Sequence, residues 1–191
     1  MNKIILIGDS IRLNYQPLVA AALTGRADVS GPEQNGGSSA NVLKHLKAWV
    51  LDQAPDIVHL NCGLHDLRRD GAATTPLVSL AAFAENLECI FALLTAEAHC
   101  RVIWATITPV GEAAHGATRP LRRYQADVPR YNAAALEIAR RHGAIINDLG
   151  SAVTDIGPDA LLLPDGVHFT DAGYAFLATR VTAALTAALE E

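Results

Sequence analysis

The chain has 191 residues, half of them apolar and 18% charged, a composition that fits one well-buried domain and excludes a disordered polypeptide. Its formal charge of -5, with the acidic excess spread along the chain, offers no basic field, so nucleic acid is not an expected partner. Apolar runs such as IILI and LLL fall far short of the roughly 20 residues of a membrane span, and no membrane partner is expected.

In chain order, residues 3–7 (KIILI) are aliphatic after Lys3 and predict a strand buried on both faces. Gly8-Asp9-Ser10 follows, then a helix over 11–23 and a short strand at 27–31 (ADVSG). A helix at 41–51 leads to the strand DIVHL at 56–60. Over 80–94, the residues Leu80, Phe83, Ala84, Leu87, Phe91 and Leu94 recur at steps of three and four, which stacks them on one helix face. The strand RVIWATI at 101–107, a helix at 131–141 and the strand GAIIN at 143–147 come next. A final helix carries the stripe Tyr174, Leu177, Ala178, Val181 and Leu185. Strands alternating with helices predict right-handed βαβ units, hence an α/β fold with a five-stranded parallel sheet covered on both faces. No repeat or linker divides the chain, and one domain over 1–191 is expected. The irregular stretches are 31–39, 61–76, 108–124 and 154–170, and the first three follow strand C-terminal ends, the edge where open α/β sheets bind ligands.

Ser10 stands between the first strand and its helix. It can be an N-cap, because a serine oxygen accepts a first-turn N–H. It can also be a nucleophile whose developing anion is stabilised by the helix N-terminus. The stretch LPDGVHFT bears on the choice. A serine hydroxyl needs a base, imidazole titrates near neutrality, and a carboxylate must orient that imidazole. Asp165-x-x-His168 supplies both from one loop, although Asp-Gly is also an ordinary turn signal.

IGDS near the N-terminus and DGVHFT near the C-terminus resemble the first and last blocks of the SGNH hydrolases, the GDSL esterase/lipase family. The resemblance implies a flavodoxin-like three-layer α/β/α fold and a serine ester hydrolase with Ser10 as nucleophile, His168 as base and Asp165 as its orienter. The second block, Asn-x-Gly, matches Asn35-Gly36-Gly37 and implies that Gly37, or Gly36 in a slipped register, donates a backbone N–H to the oxyanion beside the N–H of Ser10. The third block, Gly-x-Asn-Asp, matches Gly63-Leu64-His65-Asp66 with a departure: His65 replaces the asparagine. An imidazole N–H can donate as an amide does, but a neutral ring has only one to give.

Other residues read as structural. Asp9 shapes the turn, Asp66 is no second base, and Cys62 packs as a small side chain. Asn61 ends a strand near the proposed site. His45 and His59 lack metal-ligand spacing and read as packed. Arg68, Arg69, Arg119, Arg122 and Arg123 read as a solvated rim that could instead grip an anionic or hydroxyl-rich substrate. The loop 108–124, with Gly111, Gly116 and Pro120, is a candidate lid or recognition loop. Cys62, Cys89 and Cys100 show no paired spacing, and Gly8-Asp9 interrupts the first apolar run too early for a secretory signal, so the cytoplasm is the expected compartment.

Three functions are then in play. The first is hydrolysis of a small-molecule ester with a short acyl group, leaning to O-acetylated carbohydrate, with no cofactor and no metal. The second is an ester- or carbohydrate-binding protein whose turnover is compromised at His65. The third is a metal-dependent phosphoesterase built from Asp9, His65, Asp66, Asp165 and His168.

Overall fold

Ile4, Ile5, Leu6 and Ile7 are at most 2% exposed, and a strand buried on both faces must lie inside a sheet. In the computed structural model, which describes residues 1–112 and 121–190, β1 (Asn2–Ile7) has that position. The chain continues through α1 (Ser10–Ala22), β2 (Ala27–Ser30), α2 (Ser39–Trp49), β3 (Ile57–Leu60), β4 (Arg69–Asp70), α3 (Leu80–Leu93) and β5 (Arg101–Ala105). Then come β6 (Leu121–Arg122), α4 (Val128–Arg141), β7 (Ile145–Asn147), α5 (Leu149–Ile156), α6 (Pro158–Leu161) and α7 (Asp171–Glu190).

The main sheet has the order β2-β1-β3-β5-β7 with every pairing parallel; Ile4 lies opposite Ile57, and His59 opposite Ile103. From β1 the chain steps one way to β2, and from β2 onward every crossover steps the other way, past β1 to β3 and then to β5 and β7. Right-handed crossovers therefore put α1 on one face and α2, α3 and α4 on the opposite face. The packing agrees: α1 lies against α7, while α2, α3 and α4 lie side by side. This is the expected three-layer α/β/α arrangement with five parallel strands. Its switch point falls between β1 and β3, so the loops leaving their C-terminal ends diverge and leave a crevice.

The predicted stripes face the core, with Leu80, Ala84 and Tyr174 only half-buried at their margins. Phe83, Leu87 and Phe91 on α3 and Leu94 just beyond its end are fully enclosed, as are Leu177, Val181 and Leu185 on α7. By length and composition α7 is apolar enough to cross a membrane, but here its stripe faces the core. His45 stacks on Trp49, and Asn61 Nδ2 donates to the carbonyl of Ala105 at 2.8 Å, tying β3 to β5. The three cysteines are unpaired.

Three stretches read as irregular contain more structure than expected. Residues 154–170 begin inside α5 and include α6. Loops 61–76 and 108–124 meet in a two-stranded antiparallel ribbon, with Arg69 opposite Arg122 and Asp70 opposite Leu121. Two-residue strands have no periodicity to detect; they exist because tertiary contacts hold the loops together. Gly116 and Pro120, on which part of the lid expectation rests, and Arg119 of the arginine cluster lie outside the described residues.

Close backbone approach fixes the loops at the crevice. Gly36 donates its N–H to the carbonyl of Gly8 at 2.9 Å, and a Cβ on Gly36 would lie 2.6 Å from that oxygen. Asp66, fully buried after β3, accepts Ser39 N–H at 3.0 Å and Ser39 Oγ at 2.5 Å, tethering the β3 loop to the start of α2. Burial raises the Asp66 carboxyl to about 6 against these opposing hydrogen bonds.

Two outcomes follow. Gly36→Ala should cost about 1–3 kcal/mol, the range for overpacking, read from the chemical-denaturation midpoint. A raised carboxyl contributes stability that is complete below its unfolded value near 3.8 and is lost as pH rises through about 6. Asp66 should therefore withdraw about 3 kcal/mol between pH 4 and 7. Denaturation of Asp66→Asn across that range should lack this component; an unchanged slope would mean that the buried carboxyl ionises normally.

Candidate active site

The apolar run of β1 ends at Ile7, and the chain turns at Gly8 into α1. Asp9, in an extended conformation, accepts the N–H of Ile11 at 2.9 Å and is the N-cap of the helix. Ser10 is the first helical residue. The cap reading of Ser10 is thus corrected by one position: the helix terminus is satisfied by the Asp9 carboxylate, and the Ser10 hydroxyl is left for another partner.

That partner is His168. Ser10 Oγ lies 2.9 Å from His168 Nε2, and His168 Nδ1 lies 2.6 Å from Asp165 Oδ2. The second oxygen of Asp165 accepts the backbone N–H of His168 at 2.9 Å and of Val167 at 3.0 Å. Burial pushes the Asp165 carboxyl upward, but the bonds from the His168 ring and the two N–H groups outweigh it and hold the carboxyl at about 2. A tight turn aims the pair: Gly166, at φ +72°, donates to the carbonyl of Leu163 at 2.9 Å, and Leu163 N–H donates back to the carbonyl of His168 at 2.7 Å. The loop closes on a Leu162–Phe169 bridge before α7 begins. Three residues from opposite ends of the sequence therefore form one continuous chain of hydrogen bonds.

The second-block loop is held beside Ser10 by Arg12, a buried guanidinium on α1. Its Nη2 donates to the carbonyl of Gln34 at 2.9 Å, and Nη1 donates to Gln16 Oε1 at 2.8 Å. Neither glycine offers its N–H to the crevice in this state. Gly36 N–H goes to Gly8, and Gly37 N–H, at φ +62°, donates to Asn35 Oδ1 at 2.9 Å. For Gly37 to serve an oxyanion, this Asx turn must open. The second-block residue that lines the crevice is Asn35.

Asp9, Ser10, Asn35, His65, Arg68, Leu121, Arg123, Val167 and His168 together enclose a cleft of about 350 Å³. His65, the third-block residue, lines this cleft together with Ser10. Burial lowers its pKa; Asp9 opposes that effect, and the charges of Arg123 and Arg68 add to it. The ring is therefore neutral near pH 7 and carries one N–H. The arginine cluster divides. Arg69 donates to Asp127 Oδ2 at 2.6 Å and covers the Tyr124 ring, and Arg122 donates to the carbonyl of Gly71 at 2.7 Å. Arg68 and Arg123 line the cleft, contrary to the rim reading, and Arg123 is 93% buried with Nε donating to the carbonyl of Leu64 at 2.6 Å. Arg119 lies outside the described residues. Positive charge on two adjacent loops is visible in sequence; which of the arginines turn inward depends on the ribbon and is not.

Of the five residues of the phosphoesterase reading, Asp9, His65 and His168 line the cleft and Asp165 bonds to His168, but their side chains are otherwise engaged. Asp66 is committed to Ser39 and Asp9 to the helix cap, and among the described residues no three His, Cys, Asp or Glu side chains meet as a cation site.

Comparison with known proteins places this geometry. The family model of the GDSL-like lipase/acylhydrolases matches residues 6–176. Over 117 residues, 56% of this chain, the sequence is 33% identical to PC-esterase domain-containing protein 1B of Homo sapiens, and the match spans 26% of that protein. Among solved structures, the acetyl xylan esterase AlAXEase superposes with a TM-score of 0.79 at 21% identity, covering 96% of this chain and 99% of that one. A lipase/acylhydrolase from Enterococcus faecalis gives 0.78 at 24% identity, covering 98% and 96%. An acetylxylan esterase from Geobacillus stearothermophilus gives 0.75 at 18% identity, covering 96% and 94%. With the strand order, the Ser10–His168–Asp165 chain and a family match that runs from β1 into α7, the protein belongs to the GDSL-like lipase/acylhydrolase family.

Proposed function

We propose that Ser10, His168 and Asp165 are a catalytic triad that hydrolyses short acyl esters through an acyl-enzyme, with O-acetylated carbohydrate as the substrate class. The observation that carries this reading is the unbroken pair of contacts, 2.9 Å from Ser10 Oγ to His168 Nε2 and 2.6 Å from His168 Nδ1 to Asp165. His168 takes the Ser10 proton as Oγ attacks the ester carbonyl, and the negative charge moves to the carbonyl oxygen. Asp165, ionised because its carboxyl is held at about 2, stabilises the imidazolium. The oxyanion forms near the N-terminus of α1, within reach of the Ser10 N–H and the one N–H of His65. His168 then protonates the leaving alkoxide, and water, activated by the same ring, releases the acid from Ser10.

The substrate class rests on the small, polar cleft and on likeness to two acetyl xylan esterases. An acetyl group fits such a space, and a hydroxyl-rich alcohol suits its polar margin. One observation favours a second reading, a binding protein with weak turnover: the Gly36 and Gly37 N–H groups are already engaged.

Kinetics with p-nitrophenyl acetate separates the two. Ser10→Ala should lose about a thousandfold or more in kcat, while the wild-type rate should be insensitive to EDTA. Acetyl esters should be cleaved faster than octanoyl esters, and acetylated xylo-oligosaccharides should release acetate. Full activity in Ser10→Ala would overturn the mechanism, and saturable binding of acetylated sugar without release of acetate would favour the second reading.

A further inference from the structure

Side chains alternate along a strand, so Arg68 and Asp70 flank Arg69 and lie on the face of the β4 segment opposite to it. Arg69 is anchored into the body of the protein by Asp127 at 2.6 Å and by the Tyr124 ring at 4.7 Å. Of its two neighbours Arg68 lines the cleft, and the more exposed Asp70 meets it. Arg68 Nε lies 2.9 Å from Asp70 Oδ1, and Nη2 donates to Asp70 Oδ2 at 3.1 Å. The pairing of Asp70 with Leu121 of β6 holds this carboxylate in register.

A guanidinium is planar, so one hydrogen bond through Nη2 and the close ion-pair contact at Nε restrict the direction of the remaining nitrogen. That nitrogen, Nη1 of Arg68, lies 3.5 Å from His65 Nδ1. We propose that Asp70 and Arg68 are positioning residues that hold His65 as its Nε2–H tautomer, so that an imidazole can do for the oxyanion what the family's asparagine amide does. The inference rests on the proposed role of Ser10.

The chemistry allows one proton arrangement at this contact. Arginine only donates and keeps its proton at any accessible pH, so His65 Nδ1 must accept, and the single ring proton then sits on Nε2. The reverse tautomer would press two N–H groups against each other. The contact is long for a hydrogen bond, and the charge of Arg68 orients the ring's dipole as well as bonding to it. Other charges facing His65 are Arg123 and His168, which with Arg68 resist a second proton, and Asp9, which favours one; burial is the largest effect and keeps the ring neutral. Beside the carboxylate–imidazole–hydroxyl chain that ends on Ser10 there is thus a carboxylate–guanidinium–imidazole chain, Asp70–Arg68–His65, that ends on a second residue of the cleft.

Long-range 1H–15N correlation spectra of the full chain at pH 7 to 8 test this without needing turnover. Wild-type His65 should show an Nε2–H pattern, and Arg68→Met should shift it toward mixed tautomers. In ester kinetics Arg68→Met should lower kcat severalfold, less than the roughly hundredfold loss that deleting a donor causes, with KM little changed. In a His65→Asn background the loss caused by Arg68→Met should vanish, because an amide has no tautomer to set. An Nδ1–H pattern in the wild type, an unchanged pattern in Arg68→Met, or an equal kcat loss in both backgrounds would overturn the proposal. If the wild type hydrolyses no ester at all, the functional reading fails, and the spectra still decide this one.

Discussion

The bond from Ile11 N–H to the Asp9 carboxylate is the contact on which the site depends. A helix that starts at the end of a buried strand needs an acceptor for its first amides, and the residue at the turn ordinarily provides it. Here Asp9 does so one residue before the hydroxyl. Ser10 keeps the position at the helix N-terminus, with its favourable potential for an anion, while its oxygen turns to His168. Around this point the packing is backbone on backbone. Gly36 rests against Gly8, and buried Arg12 bonds to the neighbouring carbonyl of Gln34, so the second loop stands next to the turn that holds Ser10.

The electrostatics of the cleft differ from those of the molecule. The chain as a whole is acidic, yet the cleft is lined by Arg68, Arg123, His65 and His168, with Asp9 as the acid among them. An ester carbonyl becomes an oxyanion only in the transition state, and fixed positive charge and N–H donors aimed at that place favour the transition state over the bound ester. The neutral form of His65 suits this role. As imidazolium it would attract anions generally; as a neutral ring it presents one directed donor.

Much of the architecture was legible in the sequence because its strands are buried on both faces and its helices bury one stripe, and both patterns survive in amino-acid order. Ile4 to Ile7 and the Phe83–Leu94 stripe are the clearest cases. The association of Ser10 with Asp165 and His168 was legible only in combination: each also reads as a cap or a turn, and the chemistry they could share stood out once IGDS and DGVHFT were seen to resemble the family's first and last blocks. What was not legible depends on contacts made across the fold. The β4–β6 ribbon has two residues per strand and no period of its own. The inward turn of Arg68 and Arg123 follows from that ribbon. The engagement of Gly37 with Asn35 is a local Asx turn that competes with the role the family motif implies for its N–H. The cap at Asp9 was one residue from where the choice had been posed, a distinction that propensity scales for Ser and Asp do not resolve.

The central claim is that Ser10 is a nucleophile activated by His168. Labelling the intact protein with a fluorophosphonate probe, followed by peptide mapping, tests it most directly. The account predicts a single adduct on the peptide containing Ser10, lost in His168→Ala. A protein that stays unlabelled, or one labelled at another side chain, would contradict it.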